Sequence, residues 1–121
     1  MKLTVITAVY NQVAALEETM QSVFRFERPD LEYIIVDGGS TDGSVDLIND
    51  HSAQLKYWLS EPDEGVYDAM NKGWTLASLD SRILYLGAGD KLLELPESQA
   101  LEDDPNVILY VDVKLERGDV F

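Results

Sequence analysis

Two apolar patterns alternate along the chain. Short runs rich in Val, Ile and Leu occupy 3–8, 31–36 and 82–86, continuous from Tyr33 to Val36, with a shorter run at 55–59. Short runs of this kind are the mark of strands buried on both faces. Between them apolar positions recur every three or four residues. Leu16, Met20 and Val23 do so within Ala14 to Phe24, Val45, Leu47 and Ile48 within Gly43 to Asp50, and Val66, Met70, Trp74 and Ala77 within Val66 to Leu79. That spacing predicts three helices. Glu17 and Glu18 fall in the early turns of the first, where the helix dipole favours negative charge. Further on, Pro96 to Leu101 predicts a short helix, Asp103 to Asn106 a turn, and 107–113 a fifth strand. Strand and helix taking turns is the pattern of right-handed crossovers, hence of an α/β domain around a mostly parallel sheet. No internal repeat or shift in composition divides the chain, so one domain over 1–121 is expected.

An open parallel sheet binds ligands outside the carboxyl ends of its strands. Three predicted strands end in polar turns, Thr7 to Asn11, Asp37 to Ser40 and Gly87 to Asp90, and these are expected to converge on one crevice. Asp37 is the first site candidate. A carboxylate there can accept a bond from the imide or amino edge of a nucleobase, or from a ribose hydroxyl. A second carboxylate, Asp90, can ligate a hard cation that holds a diphosphate, since such ions take oxygen ligands from protein, phosphate and water together. The same residues have a plainer use, because Asp and Gly after a strand are ordinary turn chemistry and Ser40, Thr41 or Asp42 can cap the next helix. Asp42 is assigned to a cap, Asp68 to the charge at a helix start, Lys72 and His51 to the surface, and Trp58 and Trp74 to the core.

Charge and composition narrow the ligand. The 121 residues carry 9 basic and 23 acidic side chains, a net charge of -14, which argues against nucleic acid or an anionic membrane surface as partner. A phosphate ligand in so acidic a protein calls for a bridging metal ion. The absence of cysteine removes disulfides, thiolate zinc sites and a thiol nucleophile, and the single histidine, His51, leaves no multi-histidine metal site. The start, Met1 to Ile6, is too short and strand-like for a signal peptide, and no apolar run approaches the length of a membrane span. A cytoplasmic location is expected, peripheral to the inner membrane at most, through partners. Neither Gly-x-x-x-x-Gly-Lys-Ser/Thr nor Gly-x-Gly-x-x-Gly follows the first strand, which disfavours a P-loop NTPase and a dinucleotide dehydrogenase. From Leu92 to Phe121 there are eight acids and two bases, which reads as a solvated edge.

Three segments in order carry a resemblance. Val5 to Asn11 (Val-Ile-Thr-Ala-Val-Tyr-Asn), Ile35 to Ser44 (Ile-Val-Asp-Gly-Gly-Ser-Thr-Asp-Gly-Ser) and Glu61 to Gly73 (Glu-Pro-Asp-Glu-Gly-Val-Tyr-Asp-Ala-Met-Asn-Lys-Gly) resemble the inverting family-2 glycosyltransferases of GT-A fold, especially those of bacterial surface-polysaccharide assembly. The resemblance implies a Rossmann-like α/β/α sandwich in which Thr7, Ala8 and Tyr10 border the nucleotide, Asp37 meets the base, commonly uracil, and Asp63 lies beside it. It also implies that Asp90 binds the cation, Mn or Mg, bridging the diphosphate of a nucleotide-sugar donor, with a saccharide or lipid-linked acceptor. Where the family has two or three acids near the fourth strand, Gly87-Ala88-Gly89-Asp90 has one. The resemblance further implies a C-terminal half, with the acceptor site and the catalytic base, that these residues lack. The catalytic residue therefore stays unassigned. The enzymatic reading is the donor-binding part of a transferase; the alternative is a nucleotide-binding module, or a truncated fragment, that transfers nothing. A nucleotidyltransferase is weaker, because Ala8-Val9-Tyr10-Asn11 stands where such enzymes carry a Gly- and Arg/Lys-rich loop. A flank left bare by a missing half would be covered by a homodimer.

Overall fold

The computed structural model describes residues 2–94 and 114–116. Four strands, β1 (Lys2–Val9), β2 (Leu31–Asp37), β3 (Tyr57–Ser60) and β4 (Ser81–Tyr85), form one parallel sheet in the order β3-β2-β1-β4. The connecting helices are α1 (Val13–Phe24), α2 (Ser44–Asp50) and α3 (Val66–Leu76), with a 3-10 turn at Ser52–Gln54. Pairing puts Val9 opposite Asp37 and Asp37 opposite Ser60, so three strands finish level at one edge of the sheet.

Side chains of a strand alternate between faces, and that period of two builds the two halves of the core. Val5 and Val9 of β1, Tyr33 and Ile35 of β2 and Leu84 of β4 pack with Leu16, Met20 and Val23 of α1 and Ile48 of α2. On the opposite face Ile6, Ile34 and Val36 meet Ala69 of α3, with Ala8, Leu59, Leu76 and Ile83 beside them. The layers are therefore α1 and α2, sheet, α3, the expected α/β/α sandwich.

The buried face of α3 departs from expectation. Ala69 and Gly73 are the buried residues, while Trp74 is 59% exposed and Val66 50% exposed. The helix presses its smallest side chains on the sheet: a Cβ on Gly73 would stand 2.5 Å from Cγ2 of Ile6. Large residues cannot fit in that contact, so Trp74 lies outside the core instead of in it, whereas Trp58 packs against the core as expected. The helix also ends at Leu76 rather than Leu79.

A second correction follows β4. Lys91–Glu94 forms β5, which pairs antiparallel with β6 (Lys114–Glu116). Leu92 is completely buried in the core against α1, its amide bonded to Ser22 Oγ at 2.9 Å and its carbonyl accepting from Arg25 at 2.8 Å. The stretch after Asp90 thus begins as structure docked on α1, not as solvated edge. The helix, turn and strand expected at 96–101, 103–106 and 107–113 lie outside the described residues. His51 is half-buried rather than free at the surface, its ring stacked on Phe24 at 5.6 Å.

Candidate functional site

The loops at the carboxyl edge are stitched to one another. Asn11 donates its amide to Ser40 Oγ and accepts the Thr41 amide at Oδ1, both at 2.8 Å. Asp42 caps α2 through the amide and hydroxyl of Ser44, and its other oxygen takes the first amide of α1, that of Val13, at 3.0 Å. These hydrogen bonds, led by that of Ser44, hold the Asp42 carboxyl below its ordinary value. One side chain thereby fixes the entry of two helices.

Beside these loops an open cavity of about 510 Å³ lies between the end of β1, the end of β2 and the start of α3. Ala8, Tyr10, Gly38, Asp63, Val66 and Ala69 are among the residues that line it. Its size is that of a small-molecule site, and its place is the crevice where parallel α/β sheets take ligands. Of the expected site residues, Ala8, Tyr10 and Asp63 meet here. Tyr10 is 60% exposed at the rim.

Thr7 and Asp37 do not line it. Both belong to the face of the sheet that meets α1 and α2, in register with Tyr33 and Ile35. Thr7 shares a hydrogen bond with the buried Tyr33 hydroxyl at 2.8 Å, and burial pushes the Tyr33 phenol up from its ordinary value. Asp37 is fully buried. Its Oδ2 accepts the amides of Gly39 at 3.0 Å and Ser40 at 2.8 Å and the Ser60 hydroxyl at 2.8 Å, while Oδ1 accepts the Ser40 hydroxyl. The carboxylate ties β2, its following turn and β3 together as an internal clasp. The residue that opens into the cavity is the next one, Gly38.

Asp90 lies in the turn after β4, 5% exposed, with Oδ2 accepting the Gly87 amide at 3.0 Å. Thr19 of α1 fastens this turn, donating to the Asp90 carbonyl at 2.7 Å and accepting the Gly89 amide at 2.8 Å. For a divalent cation the donor set fits in kind, a hard carboxylate oxygen, but not in number. Among the described residues no group of three or more His, Cys, Asp or Glu side chains could hold an ion. A cation here needs oxygens carried by the ligand itself.

The loop before α3 is the part of the site that spacing alone did not reveal. Glu64 donates its amide to Asp68, and Lys72 binds Asp68 at 3.5 Å, Glu61 at 3.1 Å and the Pro62 carbonyl at 3.2 Å. Lys72 is thus a fastener of the Glu61 to Gly65 loop. Desolvation works against its charge, but the two acids outweigh it and its pKa is raised. Asp68 is held below its ordinary value chiefly by the Glu64 amide.

The family model for glycosyl transferase family 2 matches residues 4–90, which contain every element of this crevice. This chain belongs to glycosyl transferase family 2. A relative named "PGL/p-HBAD biosynthesis glycosyltransferase", from Mycobacterium bovis, is 36% identical over 118 residues, covering 91% of this chain and 46% of the relative. The chain therefore spans about half the length of the curated relatives it matches. Among solved structures of the fold, S. aureus TarS 1-349 in complex with UDP-GlcNAc is 22% identical with a TM-score of 0.66, over 85% of this chain and 31% of that one. A mannosyltransferase from Pyrobaculum calidifontis in complex with GDP-Man and Mn2+ is 23% identical with a TM-score of 0.68, over 88% and 33%. At such identities these two establish the GT-A arrangement of the sheet and helices for this family-2 chain. Among the described residues no helix is long and apolar enough to cross a membrane.

Proposed function

We propose that this chain is the donor-binding part of a glycosyltransferase and holds a nucleoside diphosphate-sugar, UDP-sugars foremost, between the ends of β1 and β2 and the start of α3. One observation carries the reading: in a family-2 chain, a cavity lined by Ala8, the Tyr10 ring and the Asp63 carboxylate occupies the ligand position of a parallel sheet. The donors named for two structural neighbours, UDP-GlcNAc and GDP-Man, are of this chemical class and support it. Ala8 and Tyr10 would border base and ribose. Asp90 would hold a Mn or Mg ion together with the donor's diphosphate, and the ion would act as a Lewis acid on the departing nucleoside diphosphate. Transfer to a saccharide or lipid-linked acceptor would proceed by in-line displacement with inversion. The acceptor site and its general base belong, in this reading, to the length of the relatives that the chain does not span.

Calorimetric titration with UDP, with and without Mn2+, tests this. The expected result is saturable, metal-strengthened binding that loses its metal dependence in Asp90→Ala, while the variant keeps its far-UV circular dichroism. Absence of UDP and GDP binding at millimolar concentration would overturn the reading. A second reading, a module that binds nucleotide without transferring sugar, is favoured by the 46% coverage of the relatives. Robust sugar transfer by the 121-residue chain to a defined acceptor would exclude it.

A further inference from the structure

The inference rests on the donor-site reading above and concerns what aims Tyr10 at the cavity. Tyr10 and Gln12 line it, and both are exposed on the short link between β1 and α1. A short exposed link has little packing of its own to hold a ring in one place. The residues that alternate with these two supply the hold. The Val9 carbonyl accepts the Gly38 amide at 2.9 Å, Asn11 makes two hydrogen bonds with Ser40 and Thr41, and the Val13 amide donates to Asp42 at 3.0 Å. Positions 9, 11 and 13 thus grip the loop after β2, and the side chains of 10 and 12 are left to the cavity.

Asn11 is the middle grip, and its backbone is unusual. Its φ of 49° makes it the one non-glycine residue with positive φ among the described residues. Asparagine tolerates this left-handed conformation better than most side chains, yet the conformation still costs free energy that nearby contacts must offset. Those contacts are the Asn11 amide donating to Ser40 Oγ and the Thr41 amide donating to Asn11 Oδ1, both at 2.8 Å. Ser40 in turn donates its hydroxyl to the buried Asp37 carboxylate. A chain of hydrogen bonds therefore runs from the buried end of β2 to the residue next to Tyr10. Both Asn11 bonds are exposed, where a hydrogen bond adds little to stability. Their effect falls on the link they shape.

We propose that Asn11 is a positioning residue of the donor site: its latch onto Ser40 and Thr41 turns the backbone so that the Tyr10 ring stands ready at the rim for the base or ribose. An unlatched link would sample many ring positions and bind only from the competent fraction, which weakens the apparent affinity by that fraction. An aromatic face accepts any base, so the latch governs the strength of the nucleoside end and leaves the metal-dependent hold on the diphosphate alone.

Titration of UDP into the wild type, Asn11→Gly, Tyr10→Ala and the double variant, each with and without Mn2+, tests this. Glycine takes a positive φ without strain and keeps the backbone amide, so the substitution deletes only the bond at Oδ1. Asn11→Gly should bind UDP about fivefold more weakly, the scale of one net hydrogen bond, and by the same factor with and without Mn2+. Its far-UV circular dichroism should be unchanged, while the heteronuclear NOE of the Tyr10 amide falls in the free chain, the signature of a link made mobile. In the Tyr10→Ala background the same substitution should change affinity by less than about twofold, the non-additivity of residues that act through one another. An Asn11→Gly variant that binds UDP as the wild type does, or a loss that persists in full without the Tyr10 ring, would overturn the proposal while leaving the donor site standing. A wild type that binds neither UDP nor GDP would overturn the donor site and the proposal with it.

Discussion

Replacing Asp37 by alanine removes a carboxylate that accepts from two backbone amides and two hydroxyls at a fully buried position. The hydroxyls of Ser40 and Ser60 can turn to other partners. The amides of Gly39 and Ser40 cannot, and each buried donor left without a partner costs about 1–3 kcal/mol. Both turn residues are half-buried, so water reaches part of the defect, and a net loss of about 3 kcal/mol is expected. Asparagine is different. Its carbonyl oxygen can take the position of Oδ2 and keep three of the bonds, while its amide donates to Ser40 Oγ, so Asp37→Asn should cost about 1 kcal/mol for the lost charge. Urea unfolding followed by circular dichroism reads both. With a slope of about 1.5 kcal/mol per molar for a domain of this size, the midpoints should fall by about 2 M and below 1 M respectively. Since the carboxylate does not line the cavity, Asp37→Asn should also keep UDP affinity within about threefold. An Asp37→Ala midpoint indistinguishable from wild type, or an Asn variant that folds normally and loses the nucleotide, would refute the clasp.

Further consequences are open to measurement. Gly73→Ala forces a methyl to within 2.5 Å of Ile6 Cγ2 and should destabilise by about 1–3 kcal/mol in urea melts despite the better helix propensity of alanine; a stabilised variant would contradict the close contact of α3 with β1. Leu92→Ala empties a fully buried position against α1 and should cost about 2–4 kcal/mol, whereas a solvated edge would show almost no effect. Acid should unfold the chain through its paired carboxylates. Glu32 would be raised by its burial, but hydrogen bonds from Lys56, Ser78 and Thr4 and the Lys56 charge hold it below 4.5, and Asp42 and Asp68 lie below 3.8 for the reasons given. For groups with depressed folded values the unfolded chain binds protons first, so their stabilisation is complete above 4.5 and 3.8 and lost as pH falls through the lower folded values. The urea midpoint should therefore drop below about pH 4; a midpoint that climbs steadily down to pH 3 would contradict those pairings.

The sheet was legible because each strand is a short apolar run and each helix a period near 3.6, and both depend on local sequence alone. What failed was parity and shape. Counting by twos from Tyr33 and Ile35 places Asp37 on the α1 face and Gly38 on the other, a signal present in the sequence that the position of an acid at a strand end does not reveal by itself. On α3 periodicity locates an apolar stripe, not the closeness of the packing: Trp74 satisfies the spacing, yet the contact of Gly73 with Ile6 admits only small residues. Leu92 was hidden by the acids downstream of it. Its burial depends on docking to α1, a tertiary contact that composition does not encode. The crevice itself was only partly legible, since a Cβ on Gly38 would crowd a carboxylate 25 residues later in the chain, Asp63, and only the fold brings the two together.

The most direct test of the crevice is a two-dimensional NMR titration of the isotopically labelled chain with UDP and Mg2+. Saturable amide shifts should centre on Tyr10, Gly38, Asp63, Gly65 and Val66, with Gln21 on the α1 side unmoved. Shifts confined to that α1 side, or none at saturating nucleotide, would contradict the account.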